Sequence, residues 1–171
     1  CQIRWGLTGT VPKQEYEYMG IKVGLGEVTN KIPAKDLQDK GVLANCHVNV
    51  LQTNDVLEFR SYAEELKWLT TDSKRMSWVA QTISDIATSG NTLILVDRIS
   101  AGEILEKKIK DSVFIRGATK NMERKEHYDE VSTAQTKVII ATYGVAAVGI
   151  NIPRIFNLVL IEPGKSFVRV I

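Results

Sequence analysis

Val138-Ile139-Ile140-Ala141-Thr142-Tyr143-Gly144-Val145-Ala146-Ala147-Val148-Gly149-Ile150-Asn151-Ile152-Pro153 is the stretch whose reading decides the fold. A β-branched run, Val138 to Ile140, delivers the chain to a hydroxyl at Thr142 and then to a loop of small residues. A second apolar run follows at Leu158 to Ile161. Strand, small loop and strand again is the rhythm of a parallel sheet. The loop also has a chemistry. Glycine lets a backbone come close to a charged ligand, and successive exposed N–H groups cradle a phosphate. The same string is equally the ordinary exit of any parallel strand, so its weight depends on what surrounds it.

Working toward the N-terminus, Thr92-Leu93-Ile94-Leu95-Val96-Asp97 contains a continuous apolar run, the pattern of a strand covered on both faces. Ala101 to Lys110 reads as a helix with Ile104, Leu105 and Ile109 on its apolar side. Val113-Phe114-Ile115 reads as the next strand, Asn121 to Val131 as a charged helix, and Lys137–Thr142 and Asn157–Ile161 as two more strands. This alternation predicts an α/β fold built on a parallel sheet with flanking helices. Its strand C-termini line one edge, where such sheets bind ligands. Met76, Val79, Ala80, Ile83 and Ala87 recur at helical spacing. Asp72 or Ser73 is placed to cap that helix and Gly90 to end it.

The first 60 residues have a different character. Ile3 to Thr8, Val48 to Leu51 and Val56 to Phe59 read as strands, and Cys46-His47 as a strand start. Glu15–Val23 and Pro33–Lys40 read as short helices, the second stopped by Gly41. Arg60 to Ser73 is polar and mixed in charge, which places a domain boundary there.

Composition bounds the function. The chain has 171 residues, 44% hydrophobic and 25% charged, an ordinary globular composition. Its 22 basic and 20 acidic residues give a net charge of +2, so any contact with a polyanion rests on local placement of charge. Two cysteines and two histidines, without motif spacing, make a poor inventory for a zinc site. There is neither an apolar run of membrane-spanning length nor a signal-peptide pattern, so a membrane role is not expected and the default setting is cytoplasmic.

Four strings together resemble the motifs of superfamily 2 DNA helicases and translocases. Gly6-Leu7-Thr8-Gly9-Thr10-Val11-Pro12 is similar to motif III, Leu93 to Arg98 to motif IV, and Val138 to Pro153 to motif V. Ile115-Arg116-Gly117-Ala118-Thr119 with Glu123-Arg124 is similar to the segment after motif IV. Arg4 to Gly9, Ser73 to Ala80 and Tyr143-Gly144-Val145 narrow the likeness to the phage UvsW-type helicases. The resemblance implies a RecA-like sheet of the P-loop NTPase type, and an ATP-dependent motor acting on DNA in replication, recombination or repair. It implies DNA-backbone contacts at Arg98, Thr119, Thr142 and Gly149, and a nucleotide contact at Asn151, where many members carry Asp. Thr8, Gly9 and Thr10 would couple two motor domains. On the residues alone, Arg98 reads equally as a solvated helix start, and Glu123 and Arg124 as a solvated helix face.

The departures are specific. No GxxxxGK[ST] loop and no DExH or DEAD string occurs, and Gly164-Lys165-Ser166 has Val159 where the first glycine of the loop belongs. ATP and Mg2+ are therefore expected in a parent protein and not on this chain, and no catalytic residue is assigned within it. The ends read as cuts, since Cys1-Gln2-Ile3 opens and Val168-Arg169-Val170-Ile171 closes inside an element. Residues 1–70 are expected to be the end of a first RecA-like domain with its linker. Residues 71–171 are expected to be a second one stopping before motif VI. The alternatives are a free-standing α/β module binding nucleic acid or protein, and a dinucleotide enzyme. The last is disfavoured because Gly24-Leu25-Gly26 is only a fragment of its glycine fingerprint.

Overall fold

The computed structural model describes residues 3–9, 11–119, 121–146, 152 and 154–162, with the backbone alone at 121, 123–125, 128 and 132. The chain forms two compact units, Cys1–Asp55 and Val56–Ile171.

The first unit carries two helices, α1 (Glu15–Leu25) and α2 (Ala34–Asp39). Two glycines with positive φ follow them, Gly26 at +93° and Gly41 at +69°. The guanidinium of Arg4 donates to the carbonyl of Gly24 at 3.2 Å, and Lys22 pairs with Glu27. No described residue of this unit is buried; Trp5 is 84% and Leu7 95% exposed. The strands expected at Ile3–Thr8 and Val48–Leu51 are absent, as is the one at Val56–Phe59 where the second unit begins. The physical reason is that a strand is stable only as part of a ladder. These segments have strand composition but form no ladder among the described residues.

The second unit contains an all-parallel sheet of β1 (Thr92–Val96), β2 (Val113–Ile115), β3 (Val138–Thr142) and β4 (Asn157–Leu160), in the order β2-β3-β1-β4. Thr92 opposes Val138 and Asn157, and Val113 opposes Ile139. The strands are linked by α5 (Ile99–Lys108), α6 (Asn121–Thr133) and α7 (Tyr143–Ala146), and preceded by α3 (Tyr62–Thr71) and α4 (Ser73–Ala87). This is the α/β parallel sheet that the alternation predicts.

Period-two side-chain alternation divides the core. Ile94, Val96, Val138 and Ile140 face Met76, Val79 and Ile83 of α4 and Ala101 and Leu105 of α5. Ile115 and Ile139 face the other way, onto Val131 of α6 and Val145 of α7. Both faces are therefore apolar, which is why the strand sequences read as unbroken apolar runs rather than alternating ones. α4 starts at Asp72, whose carboxylate accepts the Arg75 N–H at 2.8 Å. Gly90, φ +156°, lies where a Cβ would come within 2.9 Å of the Phe156 Cβ.

The stretch read as polar and mixed, Arg60 to Ser73, is mostly helix: α3 packs against α4 and α5. Its signal was a capping serine with a glutamate three residues on, Ser61 and Glu64. Ser61 Oγ accepts from Glu64 N at 3.3 Å, and Glu64 Oε2 accepts from Arg60 N at 3.1 Å.

Candidate nucleic-acid interface

The parallel register gathers the ends of all four strands along one edge. Val96 pairs with Thr142 and Leu95 with Leu160. Asp97 and Glu162 thus stand two residues beyond one ladder pair. Ile115 pairs with Ala141, which puts the Arg116–Thr119 turn on the same edge. Three of the sequence candidates, Arg98, Thr119 and Thr142, are brought together here.

Arg98 is the N-cap of α5, extended at φ −99° and ψ 132°, and its side chain makes no capping hydrogen bond. It is half-buried. Its guanidinium forms no ion pair among the described residues, and its charge acts on the Glu162 carboxyl. Thr142 is half-buried at the last position of β3. Thr119 closes a turn: its hydroxyl oxygen accepts from Arg116 N at 3.0 Å, and its own N–H donates to Arg116 O at 2.9 Å. The hydroxyl proton is not used by those two bonds. Arg116 is tied back to α5 through Glu103 at 2.7 Å.

Two residues at this edge were not read from the sequence. Glu162 is 6% exposed, and its Oε1 accepts from Arg98 N at 3.3 Å. It therefore ties the exit of β4 to the start of α5. Burial, first, and the nearby Asp97 charge raise its carboxyl above the ordinary range, against the N–H groups of Arg98 and Asp97 and the Arg98 charge, which lower it. The Tyr143 hydroxyl donates to the Glu162 carbonyl at 3.3 Å, and burial raises its phenol further. The signal for Glu162 was its place directly after an apolar strand, the same place Asp97 holds after β1.

The open loop expected after Thr142 begins instead as a helical turn, α7, pinned by buried Val145. Thr10, Gly149 and Asn151 lie outside the described residues. So do the side chains of Glu123 and Arg124. Thr8 and Gly9 belong to the first unit, both exposed, and a Cβ at Gly9 would meet nothing within 4 Å. Among the described residues, no group of three His, Cys, Asp or Glu could hold a metal ion, and no helix is long and apolar enough to cross a membrane.

The opposite edge is held by Asn91, fully buried. Its amide donates to the carbonyls of Val131, Ala134 and Arg154 at 2.9–3.1 Å, and its Oδ1 accepts from Lys137 N at 2.8 Å. One side chain thereby joins the starts of β1 and β3 to the end of α6.

No protein-family model matches the chain. The chain is similar to the ATP-dependent DNA helicase uvsW of Enterobacteria phage T4, at 22% identity over 182 aligned residues. That match takes in all of this chain and 36% of the relative, so the chain spans about a third of the relative's length. The crystal structure of T4 UvsW superposes with a TM-score of 0.58 at 23% identity, covering 65% of this chain and 24% of that one. The first match carries the UvsW-type resemblance read from the sequence motifs; the second shows the fold.

Proposed function

We propose that this chain, similar to a UvsW-type helicase in sequence and fold, is the DNA-gripping part of an ATP-dependent DNA helicase or translocase that remodels or unwinds branched DNA. The observation that carries the reading is the convergence of Arg98, Thr119 and Thr142 on the C-terminal edge of one parallel sheet. A guanidinium and two hydroxyls suit phosphate oxygens. Such contacts position a strand without reading its bases. With a net charge of only +2, attraction to DNA must come from such local groups. In this reading Gly149 adds a backbone contact, Asn151 touches the nucleotide, and Thr8, Gly9 and Thr10 couple the end of a first RecA-like domain with its linker, residues 1–70, to a second that stops before motif VI, residues 71–171. The setting is the cytoplasm, that of the host if the protein is viral.

ATP and Mg2+ do not fit the residues of this chain. It has no GxxxxGK[ST] loop and no DExH string. Phosphoryl transfer depends on those parts, so in this reading the parent protein supplies them and this chain contributes the DNA grip and the Asn151 contact. The test uses the full-length protein with Arg98→Ala and Thr142→Val. DNA-stimulated phosphate release should be lost while basal release and the melting temperature stay. The log–log salt slope of single-strand binding should fall by about 0.7 in Arg98→Ala, which removes a charge, while Thr142→Val should weaken binding with the slope unchanged. Unchanged DNA stimulation in a normally melting double variant would overturn the reading.

A further inference from the structure

Away from the sheet edge, the helical layer carries a basic surface with an aromatic residue on it. Thr71 at the end of α3, Ser73 at the start of α4, and Ile104, Lys107 and Lys108 of α5 line a shallow groove of about 310 Å³. Lys108 Nζ donates to Ser77 Oγ at 2.8 Å, so the end of α5 lies against the second turn of α4. Lys74 and Trp78, next in sequence to Ser73 and Ser77, stand at i and i+4, one above the other on α4. Both are exposed, Trp78 by 48%.

Lys74, Lys107 and Lys108 make no ion pair among the described residues. Of the nearby carboxylates, Glu103 pairs with Arg116, while Asp72 and Glu106 accept backbone N–H groups and keep their charge, so the three lysines outnumber them. Helix electrostatics account for only part of the arrangement. Lys107 and Lys108 sit in the last turn of α5, where cations suit the dipole. Lys74 and Arg75 sit in the first turn of α4, which holds no acidic residue and where cations are unfavourable. Arg75 is occupied, its Nε donating to Leu69 O at 3.1 Å and its guanidinium lying 5.9 Å from the Trp68 ring centre. Lys74 has no such employment.

We propose that Lys74, Trp78, Lys107 and Lys108 form a second binding surface for single-stranded nucleic acid. Separated lysines meet phosphates, and a half-exposed indole offers a face on which any base stacks. The surface is distinct from the sheet edge. Arg98 and Lys108 stand at opposite ends of α5, about 15 Å apart along a ten-residue helix. The inference rests on the reading of the chain as a DNA-binding motor part, and it places a further length of strand on the outer helices.

The test is binding of fluorescent oligo(dT) to the full-length protein across a salt series. Lys74→Gln/Lys107→Gln/Lys108→Gln should flatten the log–log salt slope by about 2, at about 0.7 per contact, without lowering the melt. Lys74→Arg/Lys107→Arg/Lys108→Arg should keep the slope. Trp78→Phe should abolish the part of the tryptophan quenching by oligo(dT) that Trp78 supplies. If the triple glutamine variant does not fold, Lys74→Gln alone, at an exposed position, should still lower the slope by about 0.7. An unchanged slope and unchanged quenching, while Arg98→Ala still weakens binding, overturn this surface and leave the sheet-edge reading intact. Wild-type protein that does not bind oligo(dT) at low salt overturns both. Lysine-dependent binding of polyglutamate with oligo(dT) binding unaffected makes the surface a site for acidic protein and overturns the proposal.

Discussion

Replacing Gly102 by alanine separates what helix propensity says about α5 from what its packing says. In a solvated helix interior this change is worth about 1 kcal/mol of added stability. Gly102, however, is buried under the Phe114 ring. A Cβ there would lie 2.3 Å from the ring Cζ, 2.5 Å from Cε2 and 2.8 Å from Cε1. Carbon atoms settle at about 3.5–4 Å, so the ring tip or the helix must retreat by about 1 Å. Neither moves freely. Phe114 sits in the core cluster with Leu105 and Ile140, and its N–H is held by Glu106 Oε1 at 3.0 Å. Overpacking of this kind costs about 1–3 kcal/mol. After the propensity gain is subtracted, the net expectation is a loss of about 1 kcal/mol, a shift of about 3 °C in Tm for a chain of this size. Urea titration is the assay, read as a lower midpoint at constant slope. Phe114→Leu removes the ring tip, and in that background Gly102→Ala should be neutral or stabilising, a coupling of about 1–2 kcal/mol between two touching residues. A rise in stability of about 1 kcal/mol from Gly102→Ala in the wild-type background would refute the reasoning, since the ring would then have yielded at no cost. Because Arg98 caps the same helix, a lifted α5 should also weaken DNA binding well below the melt.

Asn91→Ala should be among the most damaging single changes. It removes the acceptor of the Lys137 N–H and the amide that the Val131, Ala134 and Arg154 carbonyls share, and the buried N–H alone costs about 1–3 kcal/mol when left unsatisfied; hydrogen exchange should show β1 and β3 opening together, and exchange unchanged there would count against the role. Glu162 gives a pH signature. An acid raised by burial favours the fold in its protonated form, so that contribution is complete below the ordinary value of 4.5 and is lost as pH rises through the raised value. Glu162→Gln keeps an acceptor for Arg98 N and cannot ionise. Its melt should therefore fall less than that of the wild type over this window, and parallel melts would remove the effect. Glu162→Ala leaves the Arg98 N–H without its acceptor and should cost about 1–3 kcal/mol at any pH.

Periodicity made the second unit legible. Apolar runs such as Leu93–Val96 and Val138–Ile140, separated by helical stripes such as Met76–Ala87, have few other ways to bury themselves. Parallel strands, helices on both faces and a loaded C-terminal edge follow from local pattern and from the handedness of crossovers. The edge positions of Arg98 and Thr142 were legible for the same reason, since Thr142 closes one apolar run and Arg98 stands two residues past the end of another. The strand order β2-β3-β1-β4 was not, because it depends on which strands meet in space. Neither was the Glu162 bond to Arg98, which joins residues 64 apart, nor the four-way role of Asn91, whose side chain looks like any turn residue in the sequence. The first unit shows the converse. Ile3–Thr8 and Val48–Leu51 have every local property of strands and form none, because a ladder needs a second chain segment and composition cannot supply one. Propensity and pattern are properties of a few neighbouring residues. Pairing, register and buried polar contacts are properties of segments far apart in the chain, and only the folded structure decides them.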